Sequence, residues 1–163
     1  MPGLTSSHGR SLGEAAAVCL ETENHRPGTL LKVEIPPEGF ATLHWNPPAR
    51  SAFNCHTGDR ATEDGACAIA ILLIRAVTGH VVLSRSEKKE GCDYWLGPPD
   101  FPRHNGFKGM SRLEVSGIRR GDVSVFRSRQ NEKRRQIGKL QHPSDKYVSI
   151  IEFSTPMAVL EKL

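Results

Sequence analysis

The chain has 163 residues, 37% hydrophobic and 25% charged, with a formal net charge of +4. That length is enough for one domain with a real core, and the composition excludes a low-complexity or collagen-like chain despite 15 glycines and 11 prolines. The mild positive excess suits a polyanionic partner without requiring one.

The longest apolar run, residues 66–74, is too short to span a bilayer. The first residues lack the basic-then-apolar pattern of a signal peptide, so the expected compartment is the cytoplasm. Cys19, Cys55, Cys67 and Cys92 lie far apart without CxxC spacing, which argues against a zinc site or a disulfide scaffold. All four are expected as reduced thiols.

Residues 10–23 open with Ser11 and Glu14 at capping-box spacing and continue through Ala15, Ala16, Ala17, Val18 and Leu20, which predicts a short helix. Two strands follow, over 29–35 and 40–45, turned by Pro36-Pro37-Glu38-Gly39. Residues 46–60, rich in Pro, Asn and Gly, read as a loop. The clearest helix is 61–78, with Thr62 as its cap and Glu63 and Asp64 at its positive end. Ala66, Ile69, Ala70, Leu73 and Val77 form its apolar stripe, and Gly79 ends it.

Residues 80–86 and 92–96, joined by the charged turn 87–91, predict a hairpin. After a proline-bearing loop over 97–109, residues 111–118 alternate Leu113 and Val115 with Arg112, Glu114 and Ser116, as a half-buried strand does. A basic helix over 123–140 and a final apolar strand over 147–153 complete the order. A meander followed by a helical crossover predicts an α/β fold of the α+β kind. Its mixed central sheet is flanked by helices, and the last strand runs parallel to the third. The whole chain, 1–163, reads as a single domain, with 61–155 as the core and 1–60 adding a helix and a hairpin.

Chemistry concentrates on a few acids. Asp93 sits among apolar and aromatic neighbours in Cys92-Asp93-Tyr94-Trp95-Leu96, and Glu114 lies between Leu113 and Val115. Adjacent strands would bring these carboxylates close, and a divalent cation bound by oxygen ligands relieves their repulsion. Glu63, on the preceding helix, is the candidate for a third oxygen. The alternation equally allows Glu114 on a solvent face, with Asp93 serving only a turn and Glu63 only its helix.

Helix, three-strand meander, helix, strand, with an Asp on the second strand and a Glu on the third, resembles the core of the PD-(D/E)XK nuclease superfamily, the restriction-endonuclease-like fold. The resemblance covers roughly residues 61–155 and rests on element order more than on identity. It implies a Mg²⁺ or Mn²⁺ ion held by Asp93 and Glu114, with Glu63 completing the shell. The family's lysine, two residues past the Glu, is replaced here by Ser116, and Cys92 stands where proline is nominal. In some members the lysine comes from the following helix, where Arg129, Lys133 and Gln136 share a face; Lys133 is the first candidate and Arg129 the second.

The same helix carries Arg127, Arg129, Lys133, Arg134, Arg135 and Lys139 with Glu132 as its one internal acid, a face suited to a phosphate backbone. The expected function is a metal-dependent DNA nuclease, as a homodimer or with a partner subunit. The alternative is a non-catalytic nucleic-acid-binding or assembly subunit of a larger complex.

Overall fold

The computed structural model describes residues 1, 3–35, 38–87, 91–102, 106, 108–139 and 145–163. Most of the proposed turn at 87–91, part of the loop 97–109 and Leu140 at the end of the basic helix lie outside the described residues.

Helix α1, Ser6–Thr22, begins earlier than the Ser11 capping box suggested, because Thr5 Oγ1 accepts from His8 N at 3.3 Å. Strand β1, Thr29–Glu34, pairs antiparallel with β2, Gly39–Leu43, and turns Leu31 and Val33 inward. A short helix α2, Ala52–Cys55, interrupts the segment read as loop. Helix α3, Gly58–Thr78, starts after Thr57. Thr62, the expected cap, instead lies inside the helix, buried, where its Oγ1 accepts from Arg119 Nε at 3.2 Å. Gly79 closes α3 at φ 74°, the left-handed conformation that favours glycine.

The meander follows as β3, Val81–Arg85, β4, Tyr94–Gly97, and β5, Ser111–Ile118, each antiparallel to the last. Helix α4, Val123–Gly138, is capped by Asp122, whose Oδ1 accepts from Val125 N at 2.9 Å. It crosses to β6, Lys146–Glu152, which is parallel to β5 as the crossover rule requires. A seventh strand, β7, Met157–Lys162, lies beyond the last strand expected from the sequence. It sits between β6 and β1, antiparallel to the first and parallel to the second. The turn into it lacks glycine; the Glu152 carboxylate holds it by accepting from Ser154 N at 2.9 Å and Thr155 N at 2.6 Å. The sheet order is β2-β1-β7-β6-β5-β4-β3, a mixed α/β arrangement in which the N-terminal hairpin extends the same sheet.

Helices α1 and α3 cover one face. A Cβ on Gly65 would meet Ala16 Cα at 3.0 Å, and one on Gly117 would meet the Thr62 carbonyl oxygen at 2.4 Å, so α3 is pressed against both α1 and β5. Helix α4 covers the other face, where Phe126 and Ile137 pack on Ile118, Val148, Ile150 and Val159. Burying each of those two α4 side chains contributes about 2–3 kcal/mol. Between these layers β5 is enclosed on both sides, and Glu114 is 3% exposed. The half-buried strand is thereby overturned, and so is the alternative of Glu114 on a solvent face: its carboxylate meets α4. The four cysteines are free thiols, and no helix among the described residues is long and apolar enough to cross a membrane.

Candidate active site

Strands β4 and β5 separate beside Tyr94 and Leu113, the pair that ends their ladder. Asp93 lies just outside β4 at this fork. Its N–H donates to the Leu113 carbonyl at 2.9 Å, and its Oδ2 accepts from Val115 N at 2.8 Å, a donor that a longer β4 would have taken. Asp93 is near enough to Glu114 for its charge to act on that carboxyl, and the Lys133 charge acts on both.

Helix α4 completes the cluster. Lys133 Nζ donates to Glu114 Oε1 at 2.5 Å and Gln136 Nε2 donates to the same oxygen at 2.9 Å. Lys133 also donates to Gln136 Oε1 at 3.2 Å. Burial raises the pKa of Glu114, and the Asp93 charge raises it further, while Lys133 and Gln136 pull it back. Burial likewise raises Asp93, against the Val115 N–H, Lys133 and Arg85. The Lys133 charge thus acts on both carboxylates, and Arg85 acts on Asp93 as well. Asp93 Oδ1 and Glu114 Oε2 accept no hydrogen bond from the described residues.

Among the described residues, no group of three or more His, Cys, Asp or Glu side chains is arranged to hold a metal. Asp93 and Glu114 offer two carboxylate oxygens that no donor among the described residues occupies. That donor set fits Mg²⁺ or Mn²⁺, which bind through one or two carboxylates and keep several waters, better than Zn²⁺ or Ca²⁺.

The other candidates are placed as follows. Lys133, not Arg129, reaches the carboxylates; Arg129 is exposed and pairs with Glu132 at 3.7 Å. Ser116, buried on the Glu114 face, brings no charge. Glu63 is exposed, and among the described residues it does not complete a three-ligand group with the pair. Its neighbour Asp64 is the α3 acid whose charge, with that of Asp93, acts on Cys67. Burial first, then Asp93, pushes the Cys67 thiol up to about 12, so it stays protonated and unreactive at neutral pH.

The basic helix does not present a one-signed face. Arg127 pairs with Glu34 at 2.7 Å and Arg134 with Glu161 at 3.0 Å, acids supplied by β1 and β7. Of the five residues expected to contact nucleic acid, Arg135 alone has no acidic partner among the described residues. Exposed pairs of this kind are worth about 0–1 kcal/mol, so they lower the charge of the face without locking its side chains.

Arg112, which the sequence reading did not single out, shares the face of Glu114, and its guanidinium lies 4.6 Å from the Trp95 ring centroid. The alternation that turns Glu114 inward was the signal for it. Comparisons of the chain with protein-family models, curated proteins and solved structures return no match.

Proposed function

We propose that the protein is a Mg²⁺- or Mn²⁺-dependent nuclease that hydrolyses phosphodiester bonds in DNA. In this reading the layout follows the PD-(D/E)XK nucleases, with the lysine supplied from α4. The observation that carries it is Lys133 Nζ at 2.5 Å from a Glu114 carboxylate on which the Asp93 charge also acts.

A divalent ion held by Asp93 and Glu114 would supply Lewis-acid polarisation of the phosphate and a lowered pKa for the attacking water. The Val115 N–H orients Asp93, and Gln136 and Lys133 hold Glu114 by Oε1, so its Oε2 would be the oxygen left for a metal. Lys133 sets a positive charge where negative charge develops on the phosphoryl oxygens, a role that the hydroxyl of Ser116 cannot fill.

The test incubates the protein with supercoiled and linear DNA in Mg²⁺, Mn²⁺ or EDTA. Cleavage should require metal and fall by about 10²-fold or more in Glu114→Gln and Asp93→Asn. Cleavage by Glu114→Gln at the wild-type rate would refute the assignment. The second reading, a non-catalytic nucleic-acid-binding or assembly subunit, draws support from the absence of a third converging acid among the described residues. It predicts salt-sensitive retention of DNA without cleavage in any metal.

A further inference from the structure

Strand β5 carries a second charged side chain on the face that holds Glu114. Arg112 is 8% exposed and lies over Trp95, its cross-strand partner. No carboxylate among the described residues pairs with it, and its Nε is buried without a hydrogen-bond partner. A guanidinium cannot shed its charge in a protein, so burial must be offset by an anion or by acceptors. Stacking on the indole recovers about 2 kcal/mol but satisfies none of its donors.

Two other cations held between elements are met. Lys133 reaches Glu114, and Arg119 donates to the Cys19 carbonyl and to Thr62 Oγ1, both at 3.2 Å. Arg112, with its Nε unpartnered, lies two residues from a proposed ligand to the metal. Its terminal nitrogens, unlike Nε, are not both sealed and unpartnered, and the residue keeps 8% of its surface in solvent, the side from which an anion would arrive.

We infer that Arg112 binds a phosphate of the DNA strand next to the scissile one; the inference rests on the nuclease reading. Side chains two apart on a strand are separated by about 6.7 Å. A nucleic-acid strand repeats its charge every ~3.4 Å of helix axis, so the Arg112 phosphate lies within one or two steps of the reacting one. The planar fork suits two phosphate oxygens at once, and the Trp95 ring behind it fixes the plane of the fork.

The experiment measures binding of a fluorescein-labelled single-stranded DNA of ~8 nucleotides by anisotropy, in EDTA so that binding is read without cleavage. Wild type, Arg112→Met and Arg112→Lys are compared, each first checked for cooperative unfolding, beside cleavage of the same DNA in Mn²⁺. Binding should weaken about tenfold in Arg112→Met, with the salt slope lower by about one, and recover in part in Arg112→Lys. Equal affinity and salt slope in all three proteins, or no binding by wild type, would overturn the inference. Cleavage with an unchanged KM in Arg112→Met would overturn it while leaving the nuclease reading intact. Binding that depends on Arg112, with no cleavage by wild type of this strand or of supercoiled and linear DNA, would keep the phosphate contact and remove the nuclease reading.

Discussion

Replacing Lys133 with Met would leave Glu114 buried, with Gln136 as the remaining donor on Oε1. Breaking a fully buried ion pair costs about 3–5 kcal/mol, and breaking an exposed one about 0.2–1 kcal/mol. Here the side chains are 4% exposed on the glutamate and 17% on the lysine, nearer the buried limit. Gln136 offsets part of the loss, so about 2–3 kcal/mol is expected, or roughly 4–12 °C in Tm for a domain of this size. The deficit should also depend on pH. Glu114 titrates above its ordinary range because of burial and Asp93, and Lys133 pulls it down. Removing the lysine raises the folded pKa further, so the folded state binds more protons and loses stability as pH rises from the unfolded pKa through the folded one. Urea unfolding should therefore show a larger deficit at about pH 8 than at about pH 4.5, near the unfolded value. In the double variant with Glu114→Gln, most of the loss should disappear through coupling between the two sites. A deficit below about 0.5 kcal/mol, or one independent of pH, would refute the account.

Gly117→Ala should destabilise by about 1–3 kcal/mol or more, since the new Cβ would meet the Thr62 carbonyl oxygen at 2.4 Å and backbone cannot swing aside. An unchanged urea midpoint would mean that α3 is not pressed against β5. Asp122→Ala removes the acceptor of the Val125 N–H and should cost about 1 kcal/mol in the same assay, whereas Asp122→Asn should cost much less.

Local signals carried much of the fold. The apolar stripe of α3 and the glycine after it marked that helix, and the meander followed by a crossover required β6 to run parallel to β5. Helix starts were less legible, because the cap at Thr5 is chosen by where the chain turns and not by the Ser11–Glu14 spacing. Strand β7 escaped because its turn is held by the Glu152 carboxylate, an interaction without the Gly or Asn signature of a reverse turn.

For the site, the sequence determined which residue types were available and that Lys133 and Gln136 share one helix face. Phe126, Gln130, Lys133 and Ile137 recur at spacings of four, three and four, and burial of Phe126 and Ile137 turns that stripe inward, which selects Lys133 over Arg129. Whether Glu114 faced water or a helix was undecided by its alternation, because period two fixes which residues share a face and not what covers that face. Only the packing of α4 over β5 decided it. The ion pairs of Arg127 and Arg134 also belong to the tertiary structure: their acids, Glu34 and Glu161, come from strands remote in sequence that the sheet order brings beside α4.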